Sequence, residues 1–217
     1  MSISTKIKIC GLSSASAAII ASDANADYLG FNFIEGVRRQ IQLTDASQIL
    51  TDYREGRQTS NRPGLVGLFR DHDVDQVNET ARNLGLDYLQ LCGDEDNEYI
   101  SKVEFPVFKQ VWVREGSTPS DVDEMVSPFL SNGHGIILDS FTKGALGGSG
   151  KSFDWSSAEG VANREKVLLA GGLKPENVAS AIKQLSPWGV DVASGVETDG
   201  VKDPDRIRAF IEAARNA

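Results

Sequence analysis

The chain has 217 residues, 40% of them hydrophobic and 24% charged, a composition that suits a globular protein whose core is large enough to need no disulfides. A formal net charge of −9 argues against broad contact with nucleic acid or membrane surfaces, both of which favour basic faces. Two cysteines make neither a disulfide framework nor a zinc site, Met1 to Thr5 is too short for a signal peptide, and no apolar run reaches membrane-span length. The expectation is a soluble cytoplasmic protein in a reducing compartment.

Strand-like runs fall at 6–10, 28–33, 65–69, 88–91, 107–111, 135–138, 167–170 and 190–193. Helical patterns lie between them. Thr44 and Asp45 open one that carries Ile49, Leu50 and Tyr53. Val74, Val77, Ala81 and Leu84 share a face at period 3.6, as do Val178, Ile182 and Leu185. In the last pattern Asp203 is an N-cap, Pro204 sits in the first turn, and Ile207, Phe210, Ile211 and Ala214 point inward. Strand–helix alternation implies a parallel sheet with right-handed crossovers, and eight units close into a single (β/α)8 TIM barrel with a parallel eight-stranded core over residues 1–217. The rival, a doubly wound open sheet, usually has fewer strands, and no GxGxxG follows the first strand. No linker or break in composition marks a second domain; the longest irregular segments are 55–63 and 140–152.

A barrel places chemistry at the carboxyl ends of its strands and in the loops after them. Those positions hold Cys10, Asn32, Phe33, Arg70, Cys92, Asp139, Gly171, Gly172, Ser194 and Gly195. In the first strand Ile7 and Ile9 point one way and Lys8 and Cys10 the other. If the isoleucines meet the outer helices, Lys8 lies inside the barrel beneath Cys10, where an ammonium favours the thiolate. The alternative is that Cys10 is a small buried hydrophobe.

LLAGGLKPENV places Gly171 and Gly172 between a buried strand and a helix starting near Pro175, and VDVASGVE repeats the arrangement with Ser194 and Gly195 one strand later. Loops after strands seven and eight are where barrels commonly hold phosphate on backbone N–H groups. Either loop alone could be a simple turn; two adjacent ones point to a phosphorylated small-molecule ligand.

KICGL at 8–12, LGFNF at 29–33, LQLCGDE at 89–95, ILDS at 137–140, GGSGKSFDW at 147–155, LAGGLKPENV at 169–178 and VDVASGVE at 190–197 together resemble the phosphoribosylanthranilate isomerase family, in order and over nearly the whole chain. The resemblance implies an Amadori rearrangement of N-(5-phosphoribosyl)anthranilate in tryptophan synthesis, with no metal and no organic cofactor. It implies Cys10 as the general base at C2 and Asp139 as the general acid at the ribose ring oxygen. It also implies an arginine for the anthranilate part, which the family carries after Ser-Pro or Ser-Lys. Here the segment reads EGVRRQ, Glu35 to Gln40, so Arg39 takes that position, Arg38 the variable one, and Val37 replaces the serine. In an extended loop only one of the two arginines would face a ligand. Lys8, Gly171, Gly172, Ser194 and Gly195 complete the expected substrate site.

Cys92 stands where the family commonly has histidine, and it reads as filling space at the end of strand four. Pairing with Cys10 is not expected, because the two strand ends lie across the barrel. His72 and His134 read as surface residues, and Trp112, Trp155 and Trp188 as packing. A histidine-pathway sugar isomerase, which uses aspartate at the first strand, and a non-catalytic phosphate-binding barrel are the alternatives. A monomer is expected, with a homodimer through exposed apolar loops as the other option.

Overall fold

A computed structural model describes residues 4–140 and 154–217. Eight parallel strands form a closed barrel in sequence order: β1 Lys6–Ile9, β2 Tyr28–Asn32, β3 Gly64–Phe69, β4 Tyr88–Leu91, β5 Val107–Val113, β6 Gly135–Ser140, β7 Val167–Leu169 and β8 Gly189–Val192. β8 pairs back onto β1 with Lys8 opposite Asp191. Helices α1 Ala15–Asp23, α2 Leu43–Gly56, α3 Val74–Leu84, α4 Asn97–Ile100, α5 Pro119–Leu130, α6 Val178–Leu185 and α7 Pro204–Arg215 surround it. A two-stranded hairpin, β9 Glu197–Thr198 and β10 Val201–Lys202, follows β8. Among the described residues no helix is long and apolar enough to cross a membrane.

Local chemistry explains most helix ends. Asp73 caps α3 through the amides of Asp75 and Gln76, and Gly85 ends it in the left-handed conformation. Asp203 caps α7 on Asp205 and Arg206, with Pro204 in the first turn, as the sequence predicts. Two starts differ from expectation. α2 begins at Leu43, on Gln42, with no side-chain cap. α6 begins at Val178 and not near Pro175, because Asn177 holds the approach in a turn: its Oδ1 accepts from the Lys174 amide and its Nδ2 donates to the Gly172 carbonyl. The crossovers are also unequal, since α4 is a single turn and the described part of the β6–β7 connection holds only the 3-10 turn Trp155–Ala158.

Period 2 along each strand divides the apolar residues into two bodies. Ile7, Ile9, Leu29, Phe31, Leu89 and Leu91 face outward and pack with the helices. Val66, Leu68, Ile137 and Leu168 face the barrel axis. At the amino-terminal end the axis is filled by Tyr28, Tyr88 and Phe108, with ring centroids 5.4–5.5 Å apart. Gly64 makes room for this floor: a methyl group there would meet the rings of both tyrosines at 2.8–3.1 Å.

Candidate active site

The carboxyl ends of the strands enclose a cavity of about 340 Å³. Cys10, Arg39, Asp139, Gly171, Gly172, Ser194 and Gly195 all line it, so residues from five separate stretches of sequence converge there. Lys8 does not line it. Its side chain is fully buried below, with Nζ 3.0 Å from Asp191 Oδ1. Lys8 thus sits in the barrel interior beneath Cys10, as the alternation of the first strand predicts, and not in the cavity wall with the other residues expected to meet the substrate. The reason is register: Lys8 and Asp191 face each other across β1 and β8, and a buried ammonium takes the nearest carboxylate.

Cys10 follows β1, with its amide bonded to the Val192 carbonyl at 2.8 Å. Burial pushes its thiol above the ordinary range; the Lys8 charge works the other way, as the sequence predicts, but does not outweigh burial, and Asp191 adds to the rise. Gly11, the next residue, lies directly under Arg39, where any side chain would overlap the arginine stem.

Asp139 stands at the end of β6. Its Oδ2 accepts from Gln110 Nε2 at 3.0 Å and its Oδ1 from the Ser140 amide at 2.8 Å. Gln110 is itself held by Gln90, whose Nε2 lies 3.1 Å from Gln110 Oε1. Burial raises the Asp139 carboxyl to about 6; the Ser140 amide opposes the shift and Asp191 reinforces it. A carboxyl in that range still holds its proton for part of the time near neutral pH, as a general acid must.

Cys92 is buried, free and pushed up to about 12, chiefly by burial. It touches the same apolar group as Cys10, Val66 and Leu68. His72 packs edge-on against Phe69, and His134 is half-buried before β6. Asn32 and Arg70 line the cavity but are engaged locally, Asn32 with the Ile34 amide and Arg70 with the Cys92 carbonyl.

The two glycine loops flank the cavity side by side. Gly171 and Gly172 have φ of +79° and +70°, the left-handed region that favours glycine. Ser194 and Gly195 open the 3-10 turn Ser194–Val196, whose first amides have no partner within the turn. Among the described residues, no hydrogen bond is donated by the amides of Gly172, Leu173, Ser194 or Gly195. Unused donors of this kind suit an anion. The GGSGK portion of the seventh-strand approach lies outside the described residues.

Arg38 and Arg39 do not point apart. The segment is a turn, closed by the Gln40 amide on the Val37 carbonyl at 2.9 Å, and both side chains reach Glu197 at the start of β9. Arg39 makes a two-pronged bond, Nε to Oε1 at 2.6 Å and Nη2 to Oε2 at 3.0 Å. Arg38 Nη2 reaches Oε2 at 2.5 Å, and its Nη1 donates to the Gly200 carbonyl. Sequence reasoning placed both arginines near the mouth but missed Glu197, Lys202, Asp191 and Gln110. Asp191 and Gln110 carried a usable signal, since Val190 and Val192 facing outward turn Asp191 inward, and Val107 and Val111 do the same for Gln110. Among the described residues no group of three or more His, Cys, Asp and Glu side chains is arranged to hold a metal.

A closed parallel barrel with an ionisable thiol and a raised carboxyl at its strand ends, beside two anion-ready loops, belongs to the (β/α)8 enzymes. Residues 7–213 match the family described as N-(5'phosphoribosyl)anthranilate (PRA) isomerase. The chain is 40% identical over 215 residues to the N-(5'-phosphoribosyl)anthranilate isomerase of Dehalococcoides mccartyi, covering 98% of this chain and 96% of that one. A crystal structure of phosphoribosyl anthranilate isomerase from Thermotoga maritima superimposes with a TM-score of 0.83 at 32% identity, covering 98% and 100% of the two chains. Another, in complex with reduced 1-(o-carboxyphenylamino)-1-deoxyribulose 5-phosphate, gives 0.78 at 30% identity, with 98% and 100% covered. The chain belongs to the N-(5'-phosphoribosyl)anthranilate isomerase family.

Proposed function

We propose that this chain, acting as a single barrel domain, isomerises N-(5-phosphoribosyl)anthranilate to 1-(2-carboxyphenylamino)-1-deoxyribulose 5-phosphate, the third committed step of tryptophan synthesis from chorismate. The observation that carries this reading is one cavity lined by Cys10, Asp139, Arg39 and both glycine loops. The Gly171–Gly172 and Ser194–Gly195 loops hold the phosphate on their unused amides. Arg39 meets the anthranilate carboxylate, a partner suited to a planar guanidinium.

Protonated Asp139 gives its proton to the ribose ring oxygen as the bond from that oxygen to C1 breaks. The electron pair on the anthranilate nitrogen forms the C1–nitrogen double bond, leaving an iminium. The Cys10 thiolate then removes the proton at C2, which the iminium has acidified, and the electrons return to nitrogen as an enolamine. Tautomerisation of the C2 enol delivers the ketone, so the reaction is a net isomerisation with no external oxidant, metal or organic cofactor. Lys8 supports the thiolate from below, and Gln110 holds the Asp139 carboxyl. A cytoplasmic location, suited to two free buried cysteines, and a monomeric working form belong to the same reading.

The test is turnover of freshly prepared phosphoribosylanthranilate, followed by loss of its fluorescence. The wild-type chain is expected to be active, and Cys10→Ala and Asp139→Asn to lose roughly 10²–10⁴-fold in kcat while remaining folded. Inactive wild type, or near-normal kcat in either variant, sinks the assignment.

A further inference from the structure

The hairpin β9–β10 places one carboxylate among three cations. Glu197 accepts from Arg38, Arg39 and Lys202, whose Nζ lies 2.8 Å from Oε1. Glu197 and Lys202 are nearly sealed from solvent, with side chains 5% and 4% exposed, whereas Arg38 is 54% exposed and Arg39 14%. Lys202 is fixed a second time by the Ala193 carbonyl at 2.7 Å, immediately before the Ser194–Gly195 loop. Three positive charges around one negative leave the group net positive, so it can still accept an anion.

The pattern of bonds on Arg39 is asymmetric. Glu197 takes its Nε and Nη2 edge, while Nη1 donates to none of the described residues. A guanidinium has five N–H donors in a rigid fork, so clamping one edge fixes the direction of the other. The aliphatic stem is fixed as well, since it rests on Gly11. Arg39 is thus gripped at stem and head beside Cys10, with donors left over on a cavity-lining residue.

We infer that Glu197 is a positioning residue that orients Arg39 for the carboxylate of the substrate, with Lys202 and Arg38 balancing its charge. The inference rests on the reading of Arg39 as the carboxylate anchor. It assigns the hairpin a part in recognising the aromatic acid end of the ligand. The phosphate end is held by the glycine loops, so the two ends respond separately to mutation.

Glu197→Gln and Glu197→Ala are measured in the purified full chain beside Arg39→Met and the double variant Arg39→Met/Glu197→Ala. Glu197→Ala should raise KM for phosphoribosylanthranilate on the order of tenfold while kcat changes less, and Glu197→Gln, which keeps one acceptor, should fall between. Inhibition by anthranilate should weaken in parallel, whereas inhibition by inorganic phosphate stays within about twofold of wild type. The double variant should be no worse than Arg39→Met alone. Weakened phosphate inhibition in Glu197→Gln and Glu197→Ala alike would mean that Glu197 merely props up the hairpin. Normal KM in Glu197→Ala with a raised KM in Arg39→Met overturns the inference and leaves the anchor intact. Normal KM in Arg39→Met overturns both.

Discussion

Lys8→Met removes the positive half of a buried ion pair whose carboxylate, Asp191, lines the floor of the cavity. Nζ and Asp191 Oδ1 are 3.0 Å apart, and the side chains are 0% and 8% exposed. At that separation, with an effective dielectric of about 20, the attraction is on the order of 5 kcal/mol. Stranding one partner of a buried pair typically costs about 3–5 kcal/mol, so Lys8→Met should lower the unfolding free energy by roughly that much in a urea titration. Lys8→Met/Asp191→Leu removes both charges and should recover most of the loss. The thiol reports the same pair chemically. Without the Lys8 charge, burial acts on Cys10 with less opposition, so alkylation in a Cys92→Ala background should need higher pH in Lys8→Met than in its parent. A single variant within about 1 kcal/mol of wild type, or a double variant no more stable than the single one, would refute the reasoning.

The pH profile of kcat/KM should be a broad plateau. With Asp139 as the proposed acid and Cys10 as the proposed base, the protonated carboxyl is lost as pH rises through about 6, while the thiolate grows tenfold per unit until its own raised value is reached. Between the two these changes cancel, so a stopped assay across pH should fall only below about 6 and at strongly alkaline pH; a sharp optimum near neutrality is the contrary result. Gly195→Ala should raise KM more than it lowers kcat if the glycine loops hold the phosphate as proposed, because the new methyl group overlaps the Leu173 carbonyl and displaces one loop against the other. Steady-state kinetics with unchanged KM would show that loop to be dispensable. Arg39→Met should lower kcat/KM by about 1.5–3 kcal/mol and the more exposed Arg38→Met by under about 1, and kinetics of both variants side by side would expose a reversed ranking.

Strands such as β3 and β7 were legible as unbroken apolar runs, and β1, β4 and β8 as short runs whose outward positions are apolar while a polar residue turns inward. Their edges were less so: β5 extends through Trp112 and Val113, and β8 begins at Gly189. α1 gave no periodic stripe, since ASAAIIASD is small and apolar all round. α5 did announce itself, through Thr118 and Asp121 as a reciprocal cap around Pro119, a signal that was present and unread. The catalytic candidates could be found because each ends a strand and falls in a family motif. Their supports could not, for physical reasons. Lys8 and Asp191 are 183 residues apart, and Arg39 and Glu197 are 158 apart, so what joins them is barrel closure and a loop turn. The divergence expected of Arg38 and Arg39 assumed an extended loop, and the Val37–Gln40 turn removes that assumption.

The ring cluster of Tyr28, Tyr88 and Phe108 has a consequence for traffic through the molecule. A barrel stoppered at its amino-terminal end is a cup, so whatever enters over the carboxyl rim must leave over it. Reactant and product then queue for one doorway, and accumulated product should compete directly with fresh substrate. Widening the stopper would alter the strength of the vessel without opening a second exit, because the barrel interior also holds the fully buried side chains of Lys8, Val66 and Leu168.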